Sequence, residues 1–509
     1  MTVRASGPSP PLQTGPVAGY PAGSPVPGRP PRFRIETWGC QMNVHDSEKM
    51  AAALGSLGCR PAETEPAEVV VLNTCSVREK AQEKVFARVE QLVGRGGERP
   101  RLIGVAGCVA QQEGEAIFGR APAVDFVLGT QSLVCLPDIV RRLLDGETRI
   151  VETGRHPDNL DIPPEQIDRI PGVKAYITIM EGCDNFCSFC VVPFTRGRER
   201  CRSVSSIVRE TESLTASGFR EIQLLGQNVN SYRDPEDGRD FAELTDAVGA
   251  VPGIRRIRFT SPHPKDFSEA LMERFARGGP LMPHMHLPAQ SGSTTVLGRM
   301  RRGYSRQEFL ELVGRARDKA PELALSTDLI VGFCGETRRE FEETLTLLDE
   351  VRFSSVYSFK YSERPHTLAS KRLPDDVPDP EKTDRLVELQ ARQRAIQLAL
   401  HRDLVGREVE VLIEGPSRKG GQLAGRGPDN RIVNFDGPVE AAGSFGEVRI
   451  TGFGPNSLLG EPVRSLTPRR LPGSAPGLTP DRDGWGAEIP LPVVPAATGN
   501  GACEAMPAG

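Results

Sequence analysis

Met180 to Cys201 reads MEGCDNFCSFCVVPFTRGRERC, and within it Cys183, Cys187 and Cys190 are spaced C-x3-C-x2-C. One short loop therefore delivers three thiolates and no fourth. An iron–sulfur cube has four irons, each needing a ligand from outside the cube, and protein clusters normally take all of them from cysteine. Three ligands leave one iron open. A zinc site or a set of buried thiols is the plainer alternative, but structural zinc usually takes four protein ligands. Phe186 and Phe189, interleaved with the cysteines, would either shield a cluster from water or simply pack.

Outward from this loop, the chain has 509 residues, 38% of them hydrophobic, and a formal net charge of −4. That length accommodates about three domains. No apolar run approaches the length of a bilayer span, and no basic region followed by an apolar core marks a secretory signal. The eleven cysteines are expected to be metal ligands or reduced thiols rather than disulfides, which points to a cytoplasmic protein. Phosphate contacts need clustered Lys and Arg, so any nucleic-acid binding must come from local patches. Residues 1–31, with nine Pro and five Gly, are expected to form a disordered tail, as is the Pro- and Gly-rich segment 467–509, where Cys503 is incidental.

Between residues 32 and 150 short apolar runs alternate with helical stretches: Phe33 to Thr37 then Ser47 to Leu57, Val69 to Asn73 then Val77 to Val93, Leu102 to Ala106 then Gln111 to Phe118, Val124 to Leu128 then Leu133 to Leu144. This alternation predicts βαβ units and a doubly wound, mostly parallel sheet. Cys40, Cys75 and Cys108 each follow a predicted strand, in WGCQMN, LNTCSV and AGCVAQ. Ligands of open α/β sheets bind at the carboxyl edge of the strands, so the three thiols would converge in one crevice. They read either as three unrelated buried thiols or as the ligands of a second cluster with an open iron. Cys59 and Cys135 lie around helix ends, where structural thiols are expected.

These motifs, with VREKAQEK after Cys75 and the stretches ITIMEGCDNFCSFCVVPFTRGRER, LLGQNVNSY, RFTSPHPKDF, HLPAQSGS, GRMRRGYSR and FKYSERP, closely resemble the methylthiotransferase family of radical S-adenosylmethionine enzymes from about Arg32 to Val463. The resemblance implies an α/β protein of three folded parts. These are an N-terminal doubly wound domain at 32–150, a radical S-adenosylmethionine core at 171–402 built as a partial (β/α)6 barrel, and an all-β TRAM RNA-binding barrel at 403–466, with 151–170 as connector. It further implies a [4Fe–4S] cluster on Cys183, Cys187 and Cys190 whose open iron is chelated by S-adenosylmethionine, whose sulfonium is split by an electron to give a 5′-deoxyadenosyl radical. An auxiliary [4Fe–4S] cluster on Cys40, Cys75 and Cys108 would hold the sulfur to be transferred.

The barrel strands are expected at Tyr176 to Met180, Glu221 to Leu225, Arg256 to Thr260, His284 to Leu287, Leu323 to Val331 and Val356 to Tyr361, with the site at their carboxyl ends. Gln227 and Asn228, then Gln290, Ser291 and Gly292, then Gly332 and Glu336 follow strands, where each reads alone as an ordinary turn. Family position implies cofactor contacts, the glycines allowing close backbone approach to a nucleoside. Three departures stand out: Cys334 where the family usually has Pro, Cys201 where Ser is common, and His366 where Gly is usual, so that the loop holding His366 is expected to differ in conformation.

Arg196, Arg198, Arg200 and Arg202 follow the cluster loop, and Arg299, Arg301 and Arg302 lie in GRMRRGY. They read as a solvated face or as phosphate contacts, the latter salt-sensitive. After a helix expected at Asp384 to Leu404, short strands at Glu408 to Ile413, Arg431 to Phe435 and Val448 to Thr451 suggest a small β-barrel, with Arg407, Arg418, Lys419, Arg426 and Arg431 able to meet RNA.

The resemblance implies methylthiolation at C2 of N6-dimethylallyladenosine next to the anticodon of tRNA, an unpaired base that can be splayed into a pocket. Two molecules of S-adenosylmethionine would serve, one as methyl donor and one as radical source. Adenine C2–H is not acidic and offers no leaving group, a problem that cofactor radical chemistry answers. The expected partners are tRNA and an electron donor such as flavodoxin or ferredoxin, with no membrane and a monomeric chain. The alternatives are a sister enzyme acting on threonylcarbamoyl-adenosine or a ribosomal-protein aspartate, and a non-catalytic RNA-binding iron–sulfur redox sensor.

Overall fold

The computed structural model describes residues 31–62, 67–76, 79–94, 99–156, 159–164, 167, 169, 172–417 and 420–466. The expected tails apart from residue 31, parts of the connector, Val77, Arg78, Arg418, Lys419 and Cys503 lie outside the described residues. Strands β1 (Arg32–Trp38), β2 (Arg60–Pro61), β3 (Val69–Thr74), β4 (Leu102–Gly107), β5 (Phe126–Leu128) and β6 (Ile150–Glu152) form one parallel sheet in the order β2-β1-β3-β4-β5-β6. VVVLNT and LIGVAG are buried along their whole length, as parallel strands covered on both faces must be. The strand order reverses between β1 and β3, and that switch point is where doubly wound sheets open a crevice.

The first helix runs from Gln41 to Ser56, six residues earlier than the expected Ser47 start, with Cys40 at its N-cap. Its polar residues Asn43, His45, Asp46, Ser47, Glu48 and Lys49 are all buried. His45, Asp46 and Lys49 meet the second domain and Glu48 the connector's Arg169, while Asn43 and Ser47 bond to Asn73 within their own domain. The expected helix Gln111 to Phe118 is two short ones, Cys108–Glu113 and Ala116–Arg120, separated at Gly114, whose φ of 52° is left-handed.

The second domain holds six parallel strands: β7 (Lys174–Thr178), β10 (Glu221–Leu225), β11 (Arg256–Phe259), β12 (His284–His286), β13 (Ala324–Val331) and β14 (Ser355–Lys360). They pair as β11-β10-β7 and β12-β13-β14, and a parallel bridge from Ile257 to Leu281 leads from one triplet towards the other. This is the expected partial (β/α)6 arrangement. Its largest core packs Ile177, Ile222, Leu224, Ile257, Phe259 and Leu329 against the surrounding helices. A short antiparallel pair, β8 (Met180–Glu181) with β9 (Arg200–Cys201), closes the base of the cysteine loop.

The third unit is a closed barrel of β15 (Glu408–Pro416), β16 (Leu423–Arg426), β17 (Ile432–Phe435), β18 (Phe445–Phe453) and β19 (Leu458–Pro462), in the order β15-β16-β17-β19-β18. It docks on the second domain through side-chain forks on β11. Arg256 donates to the carbonyls of Arg426 (2.6 Å) and Glu410 (2.8 Å), and Arg258 to those of Gly427 (2.7 Å) and Pro428 (3.0 Å). His366 sits at φ 69°, in the left-handed region that favours glycine. Among the described residues no helix is long and apolar enough to cross a membrane.

Candidate functional site

Two groups of three cysteines flank the junction of the first two domains. The first stands at the carboxyl edge of the N-terminal sheet. Cys40 follows β1, Cys75 follows β3 and Cys108 follows β4, and Cys75 shares side-chain hydrogen bonds with both of the others. Those bonds lower the Cys40 thiol to about 6 and the Cys108 thiol to about 7, with the Arg196 charge acting in the same direction on both, while the Cys75 thiol is pushed well up. Three soft donors meeting in this way suit a thiophilic metal centre. Buried amides line the pocket: Cys40 Sγ lies 3.2 Å from Asn43 Oδ1, Asn43 donates to Asn73 Oδ1 (3.0 Å), and Asn73 donates back to the Asn43 carbonyl (2.8 Å). Glycine is required at 39, since a Cβ there would lie 2.6 Å from Cys75 Cβ.

The second group occupies the loop after β7. The Cys183 amide donates to the Gly197 carbonyl (3.2 Å) and the Cys190 amide to the Cys187 carbonyl (3.0 Å), which folds the loop back on itself. Gly182 enters it at φ 81°, and a Cβ there would lie 2.1 Å from the Arg198 carbonyl oxygen. Burial pushes the Cys190 thiol up to about 12 and the Cys183 thiol up. Cys187 has a cationic partner. Arg302, 6% exposed, donates to its Sγ at 3.3 Å and to the Pro288 carbonyl at 3.0 Å. Phe189 packs edge-on against Phe333 at 6.4 Å, whereas Phe186 is 46% exposed.

Between the groups lies a buried charge network. Arg196, 2% exposed, donates to Asp46 Oδ2 at 2.6 Å and stands 3.7 Å from Glu181, with Lys49 also acting on that carboxylate. Arg202 joins Glu210 (2.5 Å), Asp161 (3.0 Å) and the Thr178 carbonyl (3.0 Å). His45 Nδ1 lies 2.7 Å from Thr178 Oγ1, and burial and the nearby charges of Arg169, Lys49 and Arg202 hold its pKa well below the usual range. Folded His45 is therefore neutral. Below about pH 6.5 the unfolded chain binds a proton there that the folded chain does not, so stability falls as pH drops, by about 1.4 kcal/mol per pH unit. Replacing His45 by Gln is expected to lessen the pH dependence by this share, measured as the change in denaturation midpoint between pH 7 and pH 5.5, while His263, His284 and His401, which burial also holds low, keep theirs.

The residues expected at the strand ends are there, but most of their side chains are engaged within the protein. Gln227 Oε1 accepts the Gly182 amide (2.6 Å) and so supports the cysteine loop. Asn228 spans Asp266 (2.8 Å) and the His263 amide (3.1 Å). Gln290 sits at φ 69° and Ser291 Oγ lies 3.4 Å from Thr344 Oγ1. Glu336 accepts from the Gly332 amide (2.6 Å) and from Arg385 (2.8 Å), tying its own turn to the helix Asp379–Arg402. The close approaches that demand glycine are also internal: a Cβ at Gly332 would lie 2.3 Å from Lys382 Cγ, and one at Gly292 would lie 2.5 Å from Glu343 O.

The structure corrects four of the arginines expected to face RNA, Arg202 among them through the bonds to Glu210 and Asp161 given above. Arg196 and Arg302 are buried in the interactions above, and Arg426 is buried against Glu414 (3.0 Å) and the Asn430 carbonyl (3.1 Å). Arg196 balances the buried Asp46 carboxylate and Arg302 the buried Cys187 thiol. Arg198, Arg301 and Arg407 are exposed and Arg200 is half-buried beside Glu181 at 3.5 Å. The exposed surface by the loop has aromatic rings that sequence reasoning missed as a pair. Phe194, 49% exposed, lies 6.2 Å from the His366 ring with Lys371 over its face, and Arg198 lies over Phe186. Cys334 is buried and Cys201 half-buried, its thiol pushed up to about 11 by burial, in keeping with inert thiols.

Comparison with known proteins gives three family matches along the chain. An uncharacterized protein family, UPF0004, matches residues 32–129, the radical SAM superfamily matches 177–348 and the TRAM domain matches 402–463. The tRNA-2-methylthio-N(6)-dimethylallyladenosine synthase of Solibacter usitatus (strain Ellin6076) is 47% identical over 84% of this chain and 97% of its own length. The enzyme of the same name from Koribacter versatilis (strain Ellin345) is 46% identical over 86% of this chain and 100% of its own. Among solved structures, the radical S-adenosylmethionine methyltransferase TsrM from Kitasatospora setae aligns over 67% of this chain and 75% of its own, at 14% identity and a TM-score of 0.47.

Proposed function

The chain belongs to the tRNA-2-methylthio-N(6)-dimethylallyladenosine synthase family, and on that premise we propose that it is a cytoplasmic, monomeric tRNA methylthiotransferase acting at C2 of N6-dimethylallyladenosine beside the anticodon. The radical SAM match implies a [4Fe–4S] cluster and S-adenosylmethionine. The single observation that carries the fuller reading is the pair of three-thiol pockets on either side of buried Arg196, whose charge acts on Cys40 and Cys108 while its guanidinium stands 3.7 Å from Glu181, two residues before Cys183. Cys183, Cys187 and Cys190 would hold the radical cluster and Cys40, Cys75 and Cys108 an auxiliary one, with two molecules of S-adenosylmethionine consumed per product. Bound there, the clusters and S-adenosylmethionine supply one-electron chemistry that can activate a C–H bond beyond the reach of an acid or base.

The protein's own residues position and insulate. Gln227, Gly182 and the β8–β9 pair fix the radical-cluster loop. Asn43 and Asn73 fix the walls of the auxiliary pocket. Phe186 and Phe194, each with a cation over its ring, are suited to stacking unpaired bases, with Arg198, Arg200, Arg301 and Arg407 available to phosphate and a flavodoxin- or ferredoxin-like protein as electron donor. The domains divide at 32–150, 171–402 and 403–466. Gln290, Ser291, Gly332 and Glu336 shape the mouth from behind through the packing described above.

Arg302 has a specific task in this reading. Cluster potentials depend on hydrogen bonds to the ligating sulfurs, and a cationic donor on Cys187 favours the reduced state. Arg302→Met is expected to lower the potential of that cluster by roughly 60 mV for each 1.4 kcal/mol of lost differential stabilisation, read by a redox titration followed by electron paramagnetic resonance. An unchanged potential would remove Arg302 from this role. The function itself is tested by expressing the chain in a host whose tRNA carries dimethylallyladenosine without the methylthio group. Appearance of the methylthio nucleoside supports the assignment, and its absence from tRNA in cells holding folded, iron-loaded protein opposes it.

A further inference from the structure

Away from both thiol pockets, three ligand types meet where the chain leaves the N-terminal sheet. Cys135 ends a short 3-10 turn ahead of the helix Leu136–Leu144, Glu152 is the last residue of β6, and His156 follows four residues later. His156 Nε2 lies 3.4 Å from Cys135 Sγ and 3.4 Å from Glu152 Oε1, and all three ligand atoms fall within 4.8 Å of one another.

Hydrogen bonding accounts for this convergence only weakly: one Nε2–H can be shared between the Glu152 carboxylate and the Cys135 sulfur, a poor acceptor, and the contact to the carboxylate is long at 3.4 Å. A shared cation satisfies all three atoms at once. With zinc–sulfur bonds of about 2.3 Å and zinc–nitrogen and zinc–oxygen bonds of about 2.0–2.2 Å, a tetrahedral centre has a sulfur–nitrogen edge of about 3.5 Å and a nitrogen–oxygen edge of about 3.4 Å. Both observed edges match. The Glu152 carboxylate is held in place by the Gly154 amide, which donates to the same Oε1 at 2.9 Å, the kind of outer contact that orients metal ligands.

We propose that Cys135, Glu152 and His156 bind one zinc ion, with water in the fourth position, and that this ion fastens the connector to the N-terminal domain. The open position fits the side-chain exposures of 27% for His156 and 32% for Glu152. Binding releases the Cys135 proton to solvent, and zinc undergoes no redox change. The mixed sulfur, nitrogen and oxygen donor set suits zinc better than an all-thiolate iron–sulfur cluster. The site has a structural consequence for the catalytic region. The adjoining loop sends Thr130 Oγ1 to the Thr195 carbonyl (2.5 Å) and Gln131 Nε2 to the Arg196 carbonyl (2.7 Å), while the His156 amide donates to the Gln131 carbonyl (3.2 Å). The zinc thereby braces the segment that follows the radical-cluster loop.

The test uses full-length protein prepared anaerobically with its iron sites loaded, incubated with zinc chloride and freed of excess metal. Wild type is expected to retain about one zinc per chain with one sulfur neighbour at about 2.3 Å in the zinc K-edge spectrum. Glu152→Ala and His156→Ala are expected to weaken zinc binding at least about 100-fold with iron content unchanged. His156→Cys is expected to keep zinc and show two sulfur neighbours. No retained zinc, three sulfur neighbours in wild type, which would place the ion among cluster cysteines, or zinc binding indifferent to these substitutions would each overturn the proposal. The wild-type and His156→Cys spectra decide the matter even if the alanine variants fold poorly.

Discussion

Cys187→Ala is expected to abolish formation of the methylthio nucleoside while sparing methyl transfer to sulfur at the Cys40, Cys75 and Cys108 pocket. The substitution removes one of three ligands from the loop after β7 and leaves Arg302, buried beside it, without its thiol acceptor. The other pocket is built from different strand ends and from the Asn43 and Asn73 amides, so it keeps its ligands. Iron content should fall from about eight atoms per chain to about four, and reductive cleavage of S-adenosylmethionine should vanish with it. Methyl transfer is followed with labelled S-adenosylmethionine. Loss of both activities from a protein that still holds about four irons would defeat the division of labour between the two pockets.

The second large effect concerns stability. Arg196→Ala takes the hydrogen-bonded partner from Asp46 and one of three nearby cations from Glu181, which keeps Lys49 and Arg200; both carboxylates remain buried at the junction of the two domains. Breaking a buried pair from one side costs about 3–5 kcal/mol, because the partner is left as an uncompensated charge. Arg196→Lys retains the charge but loses the planar fork that reaches both carboxylates, so it should fall between wild type and alanine. Chemical denaturation resolves the series. The protein has three structural units and need not unfold in one step, so the relevant observable is the transition in which the first two units separate. A shift below about 1 kcal/mol for the alanine variant would mean that water, not Arg196, compensates these carboxylates.

Much of this arrangement is legible in the sequence, and for physical reasons. Three cysteines after three predicted strands of a parallel sheet must lie along one edge, and Cys40, Cys75 and Cys108 do. The C-x3-C-x2-C loop after β7 is likewise local information. Strand β10 coincides with the expected Glu221 to Leu225, since a short buried apolar run between turns permits little else. The small barrel's β16 and β19 went unforeseen because their Gly-containing segments LAGR and LLGEP lack a clear alternation.

Charge is where the sequence misleads. MNVHDSEK is polar and charged, yet the helix there begins at Gln41 and its polar side chains are buried, some against the second domain and Asn43 and Ser47 against Asn73 of their own. Arg196 and Arg302 carry the same letter as the exposed Arg198 and Arg301, and nothing in their immediate neighbours says that a carboxylate or thiol from far along the chain awaits them. Asp46 is 150 positions from Arg196, and Cys187 is 115 from Arg302. Cys135, Glu152 and His156 show the same limit. Cys135 alone reads as a structural thiol at a helix end, and only the fold brings the other two beside it.

The central claim is tested most directly by mass spectrometry of nucleosides after anaerobic incubation of iron-loaded protein with S-adenosylmethionine, reductant, sulfide and tRNA bearing dimethylallyladenosine. Parallel reactions contain threonylcarbamoyl-adenosine tRNA or the ribosomal protein. A methylthio product is expected in the first reaction alone, and Cys187→Ala is expected not to form it. Product confined to a parallel reaction, or S-adenosylmethionine cleavage with no methylthio product in any reaction, would contradict it.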